Sequence, residues 1–142
     1  MQWSRTPNGG FSPPDVQPWL PATPNYATGV NVADQAGDPR SLLSFYRDLL
    51  RLRKSTPALV AGDYHALHAW SAAHLAFLRH DAATGQTCLV VLNFSDDEQP
   101  VSFDLSAKQG RLLFSNPARG AQPLLLDRLT FAPFEIFVAE LT

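Results

Sequence analysis

Residues 87–94, Thr-Cys-Leu-Val-Val-Leu-Asn-Phe, indicate the fold of this chain. Five apolar side chains follow one another in Cys88–Leu92, which is typical of a central strand covered on both faces. Further along, Val101–Leu105 alternates apolar and polar residues, as a half-exposed strand should. These two patterns predict a β-sheet domain in the second half of the chain.

Residues 62–142 as a whole predict an antiparallel β-sandwich. Short apolar runs are separated by turn residues at about the spacing of a sandwich. Ala82–Gly85 and Ser95–Glu98 are predicted to be hairpin connections. The predicted strands are Tyr64–Trp70, His74–His80, Thr87–Phe94, Pro100–Leu105, Arg111–Phe114, Gln122–Leu126, Arg128–Phe131 and Glu135–Leu141.

One amphipathic α-helix is predicted before the sandwich, from residue 38 to about residue 54. Asp38 is a suitable N-cap, and Pro39 at the first helical position lacks an N–H that would have no partner there. Pro57 stops the helix from continuing. An apolar stripe lies along one side of the helix, formed by Leu42, Leu43, Tyr46, Leu49 and Leu50.

Residues 1–37 are predicted to form an irregular, proline-rich arm. The prolines forbid a helix and interrupt any strand ladder, and Asn8–Gly10 is a turn signal. Large apolar side chains in the arm need a surface to pack on, which the arm itself does not offer: Trp3, Phe11, Trp19, Leu20 and Tyr26. We therefore expect the chain to be part of a larger protein.

Composition and charge exclude several classes of function. Of the 142 residues, 45% are hydrophobic and 17% are charged, which is typical of a globular protein. The formal net charge of −2 provides no basic surface for phosphates, so we expect no nucleic-acid partner. No apolar stretch approaches the ~18 residues of a membrane span, and the first residues lack the pattern of a secretion signal. We therefore expect no membrane partner and predict a cytoplasmic location.

The residues that could carry chemistry do not form a complete active site. Asp96–Glu98 is predicted to be a solvated turn, with weak cation binding as the alternative, because a catalytic carboxylate pair must face each other roughly 5–9 Å apart. None of the four histidines shows the i, i+2 spacing that would place a zinc pair on one face of a strand. Cys88 has no activating neighbour in sequence and is predicted to be a buried, inert thiol. We therefore expect no metal and no cofactor.

The order of several short motifs resembles the α-amylase superfamily of glycoside hydrolases (family 13), in the branch of the α-glucosidases and oligo-1,6-glucosidases. The motifs are Met1–Ser4, Asn8–Ser12, Pro18–Pro21, Pro24–Tyr26, Ser41–Arg47, Leu52–Lys54, Val91–Ser95 and Leu129–Glu135. The resemblance implies that residues 1–37 are a remnant of the loop after the last barrel strand. It also implies that residues 38–61 are the last barrel helix and a linker, and that residues 62–142 are the β-sandwich called domain C.

The resemblance implies a parent enzyme that hydrolyses α-glucosidic bonds of short oligosaccharides with retention. The catalytic carboxylates of that family lie on earlier barrel strands, so we assign no catalytic residue and expect this chain to be inactive alone. Gln2, Trp3 and Trp19 match positions that border the active-site mouth, which makes them candidate substrate-side residues, with a scaffold role as the alternative. The expected partners are the catalytic (β/α)8 barrel, an oligosaccharide, and a second copy of this chain bound through the arm or helix.

Two other classes of function remain open on the residues alone. One is a free-standing carbohydrate-binding β-module, because aromatic faces such as those of Trp3 and Trp19 can stack on sugars. Packing in a core or an interface is the commoner use of such side chains. The other is a docking or regulatory protein that uses the arm and the helix to bind a partner.

Overall fold

The computed structural model describes residues 1–119 and 124–142, which form two compact units, Met1–Arg51 and Leu52–Thr142. The mainly β fold predicted from the sequence is confirmed, because antiparallel strands dominate the second unit. The boundaries predicted at residues 37 and 61 remain predictions.

The arm contains three short helical segments that the sequence pattern did not predict. Two are 3-10 helices, Pro7–Gly10 and Pro24–Thr28, each with a proline at its start, where the missing N–H costs nothing. The third is the α-helix α1, Val32–Gln35, whose first turn is capped by the side chain of Asn31. Prolines therefore begin single helical turns here, although they prevent a longer helix.

The predicted amphipathic helix is present as α2, Leu42–Ser55, followed by the short α3, Pro57–Ala61. It begins four residues later than predicted. Asp38 caps the preceding turn instead, where its carboxylate accepts a hydrogen bond from Arg40 N at 2.8 Å. Ser41 is the residue before the helix, and its hydroxyl accepts from Ser44 N at 3.2 Å. The sequence thus offers two possible cap residues three positions apart, Asp38 and Ser41, and the helix begins after Ser41, which is nearer the apolar stripe.

The described residues of the second unit form eight strands: β1 (Asp63–Leu67), β2 (His74–His80), β3 (Thr87–Asn93), β4 (Gln99–Val101), β5 (Gln109–Asn116), β6 (Leu124–Leu125), β7 (Leu129–Phe131) and β8 (Ile136–Leu141). The larger sheet has the order β1-β2-β3-β8-β5-β6, and β4 pairs with β7 in a second sheet. All pairings are antiparallel. Of the predicted strand Gln122–Leu126, Gln122 and Pro123 lie outside the described residues.

The two predicted hairpins have different outcomes. Ala82–Gly85 does connect β2 to β3, and Gly85 adopts φ +73°, which favours glycine. Ser95–Glu98 is not a hairpin, because β3 already pairs with β2 on one side and with β8 on the other. The chain therefore crosses at this segment to the second sheet, where β4 finds β7 as its partner.

The core of the second unit lies between the two sheets. The buried, mutually packed side chains are Ala76, Leu89, Val91, Val101, Phe103, Leu105, Leu124, Leu126, Leu129, Phe131, Phe137 and Ala139. On β3, Cys88 and Val90 point to the opposite face and are also buried, as the continuous apolar run predicts. Val101, Phe103 and Leu105 keep the predicted alternation of burial, although the strand pairing ends at Val101.

Candidate functional site

Gln2 forms hydrogen bonds that connect separate segments of the arm. Its side-chain amide donates to the carbonyl oxygen of Thr23 and to Oδ1 of Asn25, both at 3.2 Å. Its main-chain oxygen accepts from Val32 N at 2.9 Å. Gln2 thereby joins the start of the arm to both of its later helical segments.

Gly9 and Gly10 let the main chain pass close to Gln2 and Trp3. Both have positive φ, +63° and +75°. A Cβ at Gly9 would lie 2.9 Å from Gln2 Cγ, and one at Gly10 would lie 2.8 Å from Ser4 Oγ. The main chain of Trp3 is fixed by hydrogen bonds with Gly9 O at 2.8 Å and Ala33 N at 3.0 Å. The turn predicted at Asn8–Gly10 therefore holds the main chain of Trp3 in place, and the indole ring of Trp3 is 57% exposed.

Trp19 is the most exposed of the three candidates, at 92%. It lines a shallow concavity of about 360 Å³ with Asn8, Gln17, Pro18, Pro21, Ala22 and Tyr26. Asn8 shapes this region, because its side-chain amide donates to the carbonyls of Pro13 and Val16 at 3.0 and 2.8 Å. Gln2 and Trp3 are not among the lining residues. The structure thus places an indole and a phenol ring around one surface depression.

Asn31 organises the second half of the arm and was not identified from the sequence. It is fully buried, accepts from Asp34 N at 2.9 Å and donates to Tyr26 O at 2.8 Å. A hydrogen bond from Arg5, and a second from Asn31, lower the pKa of the Asp34 carboxyl below its usual value. An Asn three residues before an acidic residue, at the start of an apolar turn, is a capping signal that could have revealed this role.

The arm offers stacking surfaces and hydrogen-bond donors rather than acid–base chemistry. Its two carboxylates are Asp15 and Asp34, and Asp34 is already bound to Arg5 at 2.8 Å. In the part of the chain that the structure describes, no group of three or more His, Cys, Asp or Glu side chains could hold a metal ion. Within the same residues, no helix is long and apolar enough to cross a membrane.

His68 and His74 form a pair that their spacing in the sequence did not reveal. Nδ1 of His68 lies 3.1 Å from Nε2 of His74, and Nδ1 of His74 lies 3.0 Å from Ser71 Oγ. The His68 ring also stacks on Phe103, with 5.1 Å between centroids. Burial, and then the nearby His68, lower the pKa of His74. The pair closes the β1–β2 loop. His68 adopts φ +49°, and β1 ends before it, whereas the sequence predicted a strand that continues to Trp70.

Cys88 and the acidic turn occupy the environments that their sequence patterns predict. Cys88 is fully buried on β3, and burial raises the pKa of its thiol to about 11, so the nucleophilic thiolate is absent at neutral pH. Asp96, Asp97 and Glu98 are all exposed.

Two polar residues hold one end of the sandwich together and were not identified from the sequence. The buried Asn93 donates to the carbonyls of Asp97 and Ala132 at 2.9 and 2.8 Å and accepts from Ser95 N at 3.0 Å. The buried carboxylate of Glu135 forms a two-pronged ion pair with Arg119 and also accepts from Ala132 N at 2.8 Å. Glu135 and Arg119 are separated by 16 positions, so no local pattern indicates the pairing.

Comparisons with known proteins relate the whole chain to enzymes that act on sugars. Residues 1–62 match the family described as "Alpha amylase, catalytic domain", and the match ends one residue before β1. The glucan 1,6-alpha-glucosidase of Streptococcus pneumoniae is 33% identical over 141 residues, which are 99% of this chain and 24% of that protein. The oligo-1,6-glucosidase of Halalkalibacterium halodurans is 39% identical over 120 residues, which are 82% of this chain and 20% of that protein.

A solved structure also matches this chain over nearly its full length. The trehalulose synthase MutB from Pseudomonas mesoacidophila MX-45 matches with a TM-score of 0.85 and 30% identity, over 99% of this chain and 24% of that protein. This chain therefore spans about a quarter of the length of the relatives it matches.

Proposed function

This chain belongs to the α-amylase superfamily of glycoside hydrolases, and we propose that it works as the C-terminal quarter of a retaining α-glucosidase-type enzyme. In this proposal its partner is the catalytic (β/α)8 barrel of the same protein. The arm and α2 complete that barrel, and the β-sandwich supports it. The chain itself contributes no catalytic carboxylate.

The apolar surface of residues 1–51 carries this proposal. In that unit, only Gly9, Asn31 and Ser41 are buried, and none of them has a large apolar side chain. Large apolar side chains face outward instead: Met1, Trp3, Phe11, Val16, Trp19, Leu20, Val30, Leu42, Tyr46 and Leu50. Fully burying one such side chain is worth about 1.5–3 kcal/mol. An exposed apolar surface of this kind marks an interaction site. In the longer enzyme, the rest of the barrel, whose last helix would be α2, would cover this surface.

The proposed substrates are short oligosaccharides with α-glucosidic bonds. The names of two relatives, a glucan 1,6-alpha-glucosidase and an oligo-1,6-glucosidase, support hydrolysis of such bonds. A third relative is named a trehalulose synthase. Residues of the barrel, where the reaction takes place, would determine whether the glucosyl group is transferred to water or to another sugar.

Gln2, Trp3 and Trp19 would act on the substrate side of the assembled enzyme in different ways. Trp19 and Trp3 offer exposed indole faces on which a pyranose can stack. Gln2 would act indirectly, because its amide is engaged with Thr23 and Asn25. In the longer enzyme, Trp19→Ala should raise KM more than it lowers kcat, whereas Gln2→Ala should lower both stability and kcat.

An immunoblot of source cells with an antibody raised against the sandwich tests the proposal. We expect a band roughly four times heavier than 15.6 kDa, since the chain covers 24% of a typical relative. We also expect the purified 142-residue chain to release no nitrophenol from nitrophenyl α-glucoside. A single band at 15.6 kDa would overturn the proposal in favour of the binding or docking functions.

A free-standing sugar-binding module is the second candidate, favoured by the exposed Trp19 beside the concavity that Tyr26 also lines. Calorimetric titration of the isolated chain and of Trp19→Ala with maltose and isomaltose distinguishes it, since the proposed supporting role predicts the same heat for both proteins. Without a barrel, the exposed arm and α2 should also drive pairing of two copies, which light scattering would detect. A cytoplasmic location remains part of the proposal and is tested by cell fractionation.

A further inference from the structure

The end of the sandwich where β1 and β3 finish exposes three aromatic rings. Trp70 is 98% exposed in the β1–β2 loop, Phe94 is 61% exposed just after β3, and Phe134 is 63% exposed just before β8. We call this set of three residues the aromatic end. All three lie in the second unit, whose apolar core is already complete without them.

Main-chain hydrogen bonds place the three loops side by side. Phe94 N donates to Ala73 O at 2.8 Å, which joins the β1–β2 loop to the segment after β3. Phe134 N donates to Ser95 O at 3.1 Å, which joins that segment to the turn before β8. These two bonds place the main chains of the three loops that carry the aromatic end next to one another.

The loops of the aromatic end are held by polar contacts that fix their shape. Asn93 and the Glu135–Arg119 pair fasten the segments on either side of Phe94 and Phe134. The His68–His74 contact closes the loop that carries Trp70. Phe134 has φ +55°, a conformation that a bulky residue rarely adopts. A main chain constrained in this way, next to an outward-facing ring, is typical of a recognition site.

The charges around the aromatic end disfavour an anionic ligand. The segments 68–73, 94–98 and 132–135 contain no Lys or Arg, and Asp96, Asp97 and Glu98 are exposed beside Phe94. Arg119, which reaches this end, is paired with Glu135. An anionic ligand such as a phosphate or an acidic lipid would be repelled. A neutral, hydroxyl-rich ligand would find ring faces for its C–H groups and carboxylate oxygens as hydrogen-bond acceptors.

We propose that the aromatic end is a carbohydrate-binding surface for neutral oligosaccharides, formed by Trp70, Phe94 and Phe134 and separate from the candidates in the arm. It lies at the opposite end of β2 and β3 from α3, which contacts the β2–β3 hairpin through Ala58 N and Gln86 Oε1 at 3.1 Å. Its role would be to hold a sugar chain without cleaving it. The proposal does not depend on the proposed enzymatic function.

The three tryptophans give a direct test, because each indole N–H yields one NMR resonance. The full chain is titrated with maltotriose and with isomaltotriose, and the Trp70 signal is identified with Trp70→Ala. We expect the Trp70 resonance to shift saturably with at least one sugar. Trp70→Ala and Phe94→Ala should each weaken the affinity roughly tenfold. Leu125→Ala is the matched control, since Leu125 is an exposed apolar residue on β6, and it should leave the affinity unchanged.

Several outcomes would overturn the proposal. One is a Trp70 resonance that stays unchanged at the highest sugar concentration. Another is a shift of the Trp3 or Trp19 resonance alone, which would leave the proposed function of the arm intact. A third is self-association that Trp70→Ala abolishes while sugars have no effect, which would make the aromatic end a protein interface. Trp70 is almost fully exposed, so its replacement should not affect folding, and the amide spectrum of the variant checks this.

Discussion

The two units of this chain are ordered by different interactions. In residues 52–142, Phe131, Phe137 and Leu89 are among the largest fully buried side chains, and they pack between two sheets. In residues 1–51, the buried residues are Gly9, Asn31 and Ser41, and four aromatic side chains are exposed, those of Trp3, Phe11, Trp19 and Tyr46. The first unit is shaped by hydrogen bonds from Gln2, Asn8 and Asn31, whereas the second is shaped by an apolar core.

This difference shows that a defined shape does not by itself give stability. A hydrogen bond contributes about 0.5–1.5 kcal/mol net, whereas ordering the main chain costs about 1–2 kcal/mol per residue. The hydrogen bonds of Gln2 and Asn31 can select one conformation of the arm. Without buried apolar area, they cannot offset the entropy cost of ordering its main chain. We therefore expect the sandwich to be stable alone and the arm to depend on a partner.

Removing a large side chain from the core should have the largest effect. Phe137→Ala deletes a fully buried ring that also contacts Phe131 edge-on, with 5.3 Å between centroids. We expect a loss of about 3–5 kcal/mol in the free energy of unfolding, measured with urea. Trp19→Ala removes a ring of similar size from the arm and should change the stability of the isolated chain by less than about 0.5 kcal/mol. Equal losses in the free energy of unfolding for Phe137→Ala and Trp19→Ala would contradict the proposed difference between the two units.

Breaking the buried ion pair of the sandwich should have the next largest effect. Glu135→Gln keeps the shape of the side chain but leaves Arg119, whose side chain is mostly buried, without its counter-charge. We expect a cost of about 3 kcal/mol in urea unfolding. The control is Arg111→Gln, which breaks the more exposed pair with Glu140 and should cost less than about 1 kcal/mol. A larger loss in the control would show that burial does not decide the effect.

A change at the arm's main polar anchor should act locally. Asn31→Ala removes the cap of α1 and the hydrogen bond to Tyr26 O, worth about 1–2 kcal/mol to the arm. Proteolysis within residues 1–37 should speed up in the longer enzyme, where the barrel would order the arm, while the urea midpoint of the sandwich in the isolated chain stays constant. Thr28→Ala, which removes only an exposed hydrogen bond to Asn25 O, serves as the control and should leave both readouts unchanged.

The smallest effect should come from pH. The pKa of His74 is lower in the folded protein than its usual value near 6.5, so the folded state binds fewer protons than the unfolded state. The stability that His74 contributes is therefore present above pH 6.5, and it is lost as the pH falls below 6.5 toward the folded pKa. Urea unfolding between pH 5 and pH 8 should show this slope. It should flatten in His74→Gln, and an unchanged slope in that variant would assign the effect to other groups.

The sequence predicts what depends on local pattern and misses what depends on distant contacts. The run at Cys88–Leu92 identified the central strand, and the bounds of β2 agree with those predicted, because side-chain burial follows the period of a strand. The pairing of β4 with β7 could not be predicted, since it is set by β8 occupying the free edge of β3.

The site residues show the same division between local and distant information. Asn8–Gly10 was identified as a turn because its conformation depends on adjacent glycines. The side-chain partners of Gln2 lie 21 and 23 residues away, and Arg119 lies 16 residues from Glu135, so these contacts emerged only in the structure. His68 is only six residues from His74, but their contact depends on the conformation of the β1–β2 loop. The exposure of Trp19 likewise depends on what the rest of the chain leaves uncovered.

Hydrogen exchange on the isolated 142-residue chain tests the central claim most directly, because it measures the two units in one experiment. We predict that amides of Leu89–Val91 on β3 and of Phe137 and Val138 on β8 exchange at least roughly 100-fold more slowly than unprotected amides. The amides of Trp3, Val32 and Ala33, although hydrogen-bonded within the arm, should exchange at close to the unprotected rate. Arm amides as slow as those of β3 would show that the first unit is stable without a partner, and would contradict the account.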